Sequence, residues 1–523
     1  MLKIILNIKF FVLFMTFRVC IAQPVINERY TLNDESNAIF STVLVINDKY
    51  FVSGFQSSLA GFKDNESSLS FINFGSVLDS IKIYRNDSLG LSFMSQTKMI
   101  ITLDSNLAHV ALAASVDYPY SYFFIKMNKQ GEVLNINYFP EFYTEDSNEG
   151  KNPSTLIQSA DSTYYGIVHV QHSENYLVGF TFFRLDKYGN LMVKKSYYGD
   201  DIEEYNALAS ASMVQLNANE LMIGCAYRKD AFETEDRRHH TRLMKIDTLG
   251  ELIEEVTYWE DRLSFDCNSL TKTTEGGFLY CGRIGEYLPE TDSRQYNVRI
   301  VKINADYSID WEFRYGLPVS LPYSNLTKIL PLNDSEFVAV GFTPGEGGIL
   351  GCLLKFNIAG ELLWHRKYMK VPPLGDGGEH QLYDVELTPD GGFVMVGQAN
   401  DRLGYTDLPG QKAWLVKTDE YGCLVPGCED DDLGIDNPVK TIQSKIYPNP
   451  AQNTLFYYHH QDNFEPATIT IHSINGKKVH EWQLNTNDIT CEVDISHFQS
   501  GVYVLNAVNA KGEVLSSEKF IVE

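Results

Sequence analysis

A basic side chain recurs seven times along the chain at one place in a repeated pattern. An Asn or Asp follows it two positions later, and in six of the seven copies a Gly comes three positions after that. Seven cations directed into one channel would form a positive ring for an anionic ligand. Cations that pair with acidic or backbone groups would instead serve the scaffold, and the pattern favours this interpretation because their neighbours repeat with them. The seven residues are Arg85, Lys126, Arg184, Lys245, Lys302, Lys355 and Lys417.

No group of residues in the sequence predicts covalent chemistry. The sequence has no G-x-S-x-G nucleophile turn, no H-E-x-x-H metal motif and no phosphate-binding loop that carries a lysine. The run Arg237, Arg238, His239 and His240 is a candidate for binding a metal or an anion, but it falls in a variable segment of the fourth copy, where we expect it to be exposed. No His or Cys pair has convincing metal-ligand spacing. We therefore expect no catalytic residue, no metal site and no cofactor.

The seven cations belong to a unit that recurs about every 57 residues. Each copy contains a polar turn, and the last residues of consecutive turns are separated by 57, 57, 56, 57, 59 and 56 positions. Apolar runs before and after the two turns of a copy predict four antiparallel strands. One such sheet cannot bury both faces alone, so the copies predict an all-β, seven-bladed β-propeller over residues 23–428. The turns are residues 47–51, 104–108, 161–165, 217–221, 274–278, 333–337 and 389–393.

The two ends of the repeat region indicate how it closes. The seventh copy reaches Gly422 and then turns aside without room for a long fourth strand, whereas residues 25–32 precede the first strand of the first copy. We expect this N-terminal stretch to supply the missing outer strand of the last blade. Cys423 and Cys428 flank Val-Pro-Gly, and in an exported protein this spacing predicts a local disulfide.

Composition limits the classes of partner. The 523 residues carry a net charge of −25, and loss of a leader containing Lys3, Lys9 and Arg18 would leave −28. Nucleic acids and anionic membranes are therefore disfavoured as partners. Residues 1–22 predict a signal peptide, because basic residues flank an apolar run and Ala22 offers a cleavage position. No later stretch reaches the length of a transmembrane span.

The last part of the chain has a different organisation. Beyond an acidic linker at residues 429–444, residues 445–523 show short strand-like runs and an Asn475-Gly476 turn, which predict a small Ig-like β-sandwich. The matching residues for a known family include Tyr447, Pro448, Asn449, Pro450, Gly476, Gly501, Tyr503 and Lys519. With these residues the module resembles the C-terminal sorting domain of the type IX secretion system of certain Gram-negative bacteria. An Ig-like accessory domain without a sorting role, and a calcium site in the linker, are the alternatives.

This resemblance implies a location and a route. It implies passage through the periplasm, recognition by the type IX secretion machinery, removal of the module on export, and release of the protein or its attachment to surface lipopolysaccharide. We expect a secreted or outer-membrane surface protein that binds a glycan or a protein without covalent chemistry, with aromatic residues at 118–123 available to stack on sugars. An extracellular polysaccharide hydrolase or lyase, with its site at the mouth of the propeller channel, is the alternative. A purely structural surface component is a third.

Overall fold

The chain divides into two compact units, Met1–Asp431 and Asp432–Glu523. Every secondary-structure element of the described residues is a β-strand, which confirms the predicted all-β class. The predicted signal peptide at residues 1–22, residues 429–441 of the predicted linker, and Gly476 lie outside the described residues. The computed structural model describes residues 24–31, 37–47, 49–57, 66–73, 78–86, 91–96, 98–114, 121–139, 153–171, 178–197, 207–228, 239–258, 263–288, 293–315, 324–345, 348–371, 378–401, 404, 409–425, 428, 442–461, 467–473, 477–484, 489–509 and 514–522.

The first unit consists of antiparallel four-stranded runs in which strands consecutive in the chain are neighbours. The first run is β2 (Asn37–Ile46), β3 (Lys49–Ser57), β4 (Glu66–Asn73) and β5 (Leu78–Asn86). The second run is β6 (Leu91–Gln96) with β7 (Ile100–Ile101), then β8 (Leu107–Ala114), β9 (Ser121–Met127) and β10 (Val133–Phe139). The third run is β11 (Pro153–Gln158), β12 (Tyr164–Gln171), β13 (Val178–Leu185) and β14 (Leu191–Tyr197). In the second run β6 and β7 both pair with β8, so its first strand is divided.

The remaining runs follow the same order. The fourth is β15 (Ala207–Gln215), β16 (Glu220–Arg228), β17 (His239–Asp247) and β18 (Leu252–Tyr258). The fifth is β19 (Leu263–Phe265) with β20 (Ser269–Lys272), then β21 (Phe278–Leu288), β22 (Ser293–Ile303) and β23 (Ile309–Tyr315). The sixth is β24 (Asn325–Pro331), β25 (Glu336–Gly345), β26 (Gly348–Asn357) and β27 (Leu362–Tyr368). The seventh has β28 (Gly378–Leu387), β29 (Phe393–Asp401) and β30 (Gly410–Thr418).

The seventh run obtains its fourth strand from the start of the described chain. Strand β1 (Ile26–Tyr30) pairs antiparallel with β30, from Ile26 opposite Lys417 to Tyr30 opposite Ala413. This pairing confirms the predicted role of the N-terminal stretch. The side chain of Asn27 also holds β1 in place. Trp414 Nε1 donates to Asn27 Oδ1 at 2.8 Å, and Asn27 Nδ2 donates to the Met369 carbonyl at 2.8 Å.

A buried histidine holds the segment that connects the sixth and seventh runs. His380 Nε2 accepts hydrogen bonds from the backbone N–H groups of Lys370 and Val371, at 2.9 and 3.0 Å. Its Nδ1 lies 3.1 Å from the Ile349 carbonyl, so Nδ1 carries the proton of the neutral ring. Burial lowers the pKa of His380 to about 4.

Hydrophobic clusters lie at the junction of each run with the next. At the first junction, for example, Leu44 of the first run packs in one cluster with Phe123 of the second. Further clusters follow at each later junction along the chain. The series returns to its start, because Val394 of the seventh run shares a cluster with Phe40 of the first. Each run thus buries both faces against its neighbours, as a repeated sheet must.

The second turn of each copy requires a left-handed backbone position. Gly occupies it with φ between 72° and 85° at residues 131, 189, 250, 360 and 422. The fifth copy has Tyr307 there, and this residue adopts the same conformation with φ of 64°. Its carbonyl accepts a hydrogen bond from the Tyr258 hydroxyl at 2.9 Å, and its own hydroxyl lies 3.1 Å from Glu254. These tertiary contacts offset the strain that a side chain brings to this position.

The second unit has two antiparallel sheets that share one hydrophobic cluster. The three-stranded sheet has the order β31-β32-β35 and the four-stranded sheet the order β34-β33-β36-β37. Leu455 and Val493 of the first sheet pack in the same cluster as Ile469 and Leu505 of the second. The strands are β31 (Ile442–Tyr447), β32 (Thr454–Gln461), β33 (Ala467–Ser473), β34 (Lys478–Leu484), β35 (Ile489–Asp494), β36 (Gly501–Asn509) and β37 (Val514–Val522).

Candidate ligand site at the inner strands

The first strands of the seven runs line one cavity of about 390 Å³. We call β2, β7, β11, β15, β20, β24 and β28 the inner strands, and the space the inner-strand cavity. Each of these strands, or the residues directly before it, contributes to the wall. One lining residue from each run is Leu44, Met99, Leu156, Met213, Leu270, Ile329 and Glu386. The wall is mostly aliphatic, and the described residues place no aromatic ring in it.

Three charged side chains form an ion cluster on the wall of the inner-strand cavity. Lys328 Nζ lies 2.8 Å from Asp384 Oδ1 and 2.8 Å from Glu386 Oε1, and it donates to the Val385 carbonyl at 2.9 Å. Burial alone would lower the pKa of Lys328, but the attraction of the two carboxylates outweighs burial and raises it. The other oxygen of Asp384 accepts a hydrogen bond from the Val43 N–H at 3.0 Å. Both carboxylates are therefore held by one ammonium group.

The ion cluster occupies a position that elsewhere serves the scaffold. Ser212 and Ser269 hold the equivalent place in the fourth and fifth runs, nine residues before the end of the first turn. Ser212 Oγ accepts from the Leu270 N–H and Ser269 Oγ from the Ile329 N–H, each at 3.1 Å. Each of these serines thus joins its inner strand to the next. Asp384 does the same toward the first run, whereas Lys328 can only donate.

A second lysine on the wall has a different environment. Lys98 lies directly before β7 and lines the inner-strand cavity. Burial lowers its pKa to about 8, opposed by the attraction of Asp384 and Glu386 and assisted by the repulsion of Lys328. Among the described residues, no hydrogen-bond or ion-pair partner lies within reach of its ammonium group. Its three donors are therefore available to a ligand.

The repeated cations whose side chains are described do not line the inner-strand cavity. In six runs the cation stands at the end of the third strand, and we call these six the third-strand cations. Arg85 instead lies on β5, the fourth strand of the first run, so the first copy departs from the predicted register. In each pair below, the acidic partner belongs to or adjoins the first turn of the same run, so the scaffold interpretation applies within a run. The pairs are Lys126–Asp104 (2.7 Å), Arg184–Asp161 (3.5 Å), Lys245–Glu220 (3.1 Å), Lys302–Glu275 (3.0 Å), Lys355–Glu336 (3.2 Å) and Lys417–Asp390 (3.1 Å). The side chain of Arg85 lies outside the described residues.

Two other predicted features differ from expectation. His240, the last residue of the Arg-Arg-His-His run, is buried rather than exposed, and Arg237 and Arg238 lie outside the described residues. Of the aromatic residues at 118–123 that were expected to be available for sugars, Tyr118 and Tyr120 lie outside the described residues. Tyr122 and Phe123 are each at most 1% exposed and pack in the hydrophobic core. They sit on β9, a strand between two others, where both faces are covered. Glycan stacking on this pair is therefore excluded.

The predicted sorting residues surround the end of the second unit's last strand. Asn449 Nδ2 donates to the Lys519 carbonyl at 3.1 Å, and its Oδ1 accepts from the Ile521 N–H at 3.0 Å. The rings of Tyr503 and Phe520 stack with centroids 5.6 Å apart. Pro448 and Pro450 follow cis peptide bonds, Tyr447 stacks on Phe456, and Gly501 begins β36 opposite Val522. The motif thus joins the end of β31 to β37.

A disulfide joins Cys423 and Cys428, whose Cα atoms are 5.6 Å apart. The pair follows the end of β30 directly, where the seventh run turns aside. Four other cysteines of the described residues, at 225, 267, 281 and 352, are buried thiols. The described residues contain no group of three or more His, Cys, Asp or Glu side chains placed to hold a metal ion. They also include no helix that could cross a membrane.

Sequence reasoning missed Lys98, Lys328, Asp384 and Glu386. The repeat did carry a signal for two of them. Aligning the copies on their first turns places Lys328 and Asp384 at the position of Ser212 and Ser269, so a charge at an otherwise uncharged inner-strand position could have been noticed. Lys98 and Glu386 stand one position before and two positions after that place in their own copies, so no alignment column joins all four.

Comparison with known proteins identifies the last module. The family model for the secretion system C-terminal sorting domain matches residues 445–523. None of the curated proteins matches the chain. Solved structures that resemble it include Pyrococcus horikoshii acylaminoacyl peptidase, at 10% identity and a TM-score of 0.37, with 81% of this chain and 57% of that chain covered.

Two further structures resemble the chain over most of its length. The β-propeller domain of the Trilobed protease from Pyrococcus furiosus has 9% identity and a TM-score of 0.40, covering 74% of this chain and 97% of that chain. Drosophila Semaphorin 2a has 8% identity and a TM-score of 0.47, covering 96% and 97%. Likenesses this distant carry no functional assignment. The sorting domain does: residues 445–523 are a type IX secretion sorting domain, and the protein is exported to the cell surface or the extracellular space.

Proposed function

We propose that the exported protein is a seven-bladed β-propeller at residues 23–428, followed by the linker at 429–444 and an Ig-like β-sandwich at 445–523. The strand pairing supports this architecture, because seven four-stranded runs follow one another and β1 completes the last. The clusters between runs support it too, since they return from the seventh run to the first. The same proposal includes a signal peptide at residues 1–22 that directs the chain to the periplasm.

We propose further that the protein is a non-catalytic binding protein and that its ligand occupies the inner-strand cavity. One observation carries this proposal: all seven runs converge on a cavity that contains an ion cluster and a lysine whose donors meet no acceptor in the described part of the chain. A volume of about 390 Å³ lies within the usual range for small-molecule sites. This size suits a small molecule, or the terminal unit of a glycan, better than a protein surface.

A polysaccharide hydrolase or lyase is the alternative function. Hydrolases of the common type need one carboxylic acid that is protonated before reaction, and a second carboxylate as base or nucleophile. The cavity has two carboxylates, Asp384 and Glu386, but both contact the same ammonium group of Lys328. Because both are engaged by one counter-ion, they are not arranged as an acid and a base on opposite sides of a bound substrate. The ion cluster therefore supports binding over hydrolysis.

The proposed function is tested with the purified protein in two parallel screens. One is an array of bacterial, plant and animal glycans, and the other is a small-molecule library followed by thermal shift. The matched variant is Leu270→Trp, which fills the inner-strand cavity, with Met99→Phe as a second filler in case the first does not fold. Ligands that bind unchanged and are lost in the filled variants support the proposal. Cleaved ligands would establish the enzyme, and ligands unaffected by both fillers would remove the cavity as the site.

The fate of the sorting domain is proposed from its family. We expect the module at residues 445–523 to be removed on export, with the mature protein released or attached to surface lipopolysaccharide. Mass spectrometry of the surface and culture fractions measures this directly. A mature chain that still ends at Glu523 would contradict removal, and a chain without a lipopolysaccharide mass shift would contradict attachment.

A further inference from the structure

The inner-strand cavity contains two lysines that differ in what surrounds their ammonium groups. Lys328 has two carboxylates at 2.8 Å and a backbone carbonyl at 2.9 Å. Lys98 has no such partner among the described residues. Lys98 is partly exposed, so its ammonium group is open to the inner-strand cavity, where water or a ligand can supply the acceptors that the described residues do not. The unpaired lysine is thus the feature of the cavity that the scaffold does not explain.

We infer that the inner-strand cavity binds a small amphipathic carboxylate, whose carboxylate group pairs with Lys98 and whose aliphatic part contacts the apolar wall. This inference rests on the proposed function and names the class of its ligand. A carboxylate supplies both the negative charge and the acceptor oxygens that the three ammonium donors lack.

The wall of the inner-strand cavity offers apolar surface alongside polar groups. Ile101, which is 47% exposed, and Ile100, which is partly exposed, line the cavity beside Lys98 and present aliphatic surface to a ligand. The polar lining includes Thr155, Asn268 and two serines, but no aromatic ring of the described residues is present for a sugar to stack on. Transfer of the aliphatic part of a ligand from water to this surface is favourable.

The ion cluster explains why the ligand is an anion rather than a cation. A cationic ligand would need a free carboxylate, but Asp384 and Glu386 share the ammonium group of Lys328, and Asp384 also accepts from Val43. Displacing Lys328 from them would leave that lysine unpaired. The same pairing weakens the repulsion that these carboxylates would exert on an anion at Lys98. The groups that face Lys98 are Asp384, Lys328, Cys281 and Glu386.

The pH dependence of binding follows from the environment of Lys98. Its pKa in the empty cavity is about 8, so the ammonium group is largely present at pH 7 and largely lost at pH 9.5. A carboxylate ligand with an ordinary pKa remains ionised over this range. Affinity is therefore expected to fall more than tenfold between pH 7 and pH 9.5, a range in which an ordinary lysine with a pKa near 10.5 would barely change.

Isothermal titration calorimetry with octanoate tests the inference on the full-length protein, with 1-octanol and octylamine as uncharged and cationic probes of equal chain length. Octanoate is expected to bind at least tenfold more tightly than either. Lys98→Met should weaken octanoate binding at least tenfold, and Lys98→Arg should retain binding but lose the pH dependence above 7. Lys187→Met, which removes an exposed lysine of the same unit, should leave affinity unchanged.

The outcomes separate the inference from the proposed function. Equal binding of octanol and octanoate, or full affinity in Lys98→Met, would overturn the role of Lys98. If those ligands were still lost in Leu270→Trp, the cavity would remain the binding site and the proposed function would stand. Absence of binding by all three probes would overturn the carboxylate class. Cleavage of ligands in the wider screens, or failure of the cavity-filling variants to affect any of them, would overturn the proposed function as well.

Discussion

The third-strand cations and the cavity lysines belong to the same repeated runs but have opposite relations to the repeat. Each of the six described third-strand cations meets an acidic residue at the first turn of its own run, and the partner recurs with the cation. Lys328 instead meets carboxylates from the neighbouring run, and Lys98 meets none among the described residues. Where a polar residue repeats together with its partner, it serves the scaffold.

The inner strands show the converse. Ser212 and Ser269 repeat with their backbone partners and join consecutive runs. Lys328 and Asp384 replace them in only two runs, next to each other, and create charge inside an aliphatic cavity. Departure from the repeat therefore marks charges that the common plan of the runs does not explain. The difference between residues that repeat with their partners and those that do not can be tested by substitution, and we expect the effects on stability to decrease from Lys328 to the exposed third-strand cations.

Lys328→Met should give the largest loss of stability. It leaves Asp384, whose side chain is 2% exposed, and Glu386 without their shared counter-ion. Removing one partner of a buried ion pair costs about 3–5 kcal/mol. Urea unfolding monitored by tryptophan fluorescence measures the change, and adding Asp384→Asn should recover part of it. If Lys328→Met were as stable as the wild type, the ion cluster would not contribute to the stability of the fold.

The acid sensitivity of the scaffold should come in part from His380. Its pKa is about 4 in the folded protein and about 6.5 in the unfolded chain, so folding favours the neutral ring. The stabilisation is complete above pH 6.5 and is lost as the pH falls toward 4, by about 3 kcal/mol in all. His380→Gln keeps an acceptor but does not titrate. The free energy of unfolding, measured between pH 7 and pH 4, should therefore fall more steeply for the wild type than for His380→Gln. An equal fall in both proteins would contradict the prediction.

Lys98→Met should change stability in the opposite direction from Lys328→Met. The pKa of Lys98 falls from about 10.5 in the unfolded chain to about 8 in the folded protein, so its charge opposes folding below pH 8. Replacement should stabilise the empty protein at pH 7 by about 2 kcal/mol, less than the full shift because the side chain is partly exposed. The gain should vanish between pH 8 and pH 10.5. A loss of stability at pH 7 would show that Lys98 serves the scaffold.

Replacement of a third-strand cation whose pair is open to solvent should have the smallest effect. Lys126 (14% exposed) pairs with Asp104 (54%), and Lys355 (20%) pairs with Glu336 (35%). The buried Lys417–Asp390 pair is a different case. Exposed ion pairs contribute less than about 1 kcal/mol and are screened by salt. Lys126→Met and Lys355→Met should each lower the unfolding midpoint slightly in low salt. The decrease should be smaller at about 0.5 M NaCl, because salt weakens the attraction between the charges. A loss comparable to that of Lys328→Met would abolish the division between the two sets.

Much of the scaffold could be predicted from the sequence because its determinants are local and repeated. The spacing of turns and apolar runs predicted four-stranded units, and the shortened seventh copy predicted the pairing of β1 with β30 that the structure confirms. The sorting residues are a short pattern near one end of the chain, and the family model confirms their identity. The departure at Tyr307 shows the limit of local reasoning. There, contacts from Tyr258 and Glu254 hold a conformation that turn chemistry assigns to glycine.

The candidate site needed the tertiary structure, because its members come from different copies. Lys98 adjoins the second run, Lys328 lies in the sixth, and Asp384 and Glu386 lie in the seventh. Nothing in the spacing of these residues brings them together. They meet because each run packs its inner strand beside the next and the last run closes on the first. Sequence alone thus determined the repeating sheet and the route of export. Only the packing of the runs decided which side chains share a cavity, and which lysine there has no counter-ion within the described part of the chain.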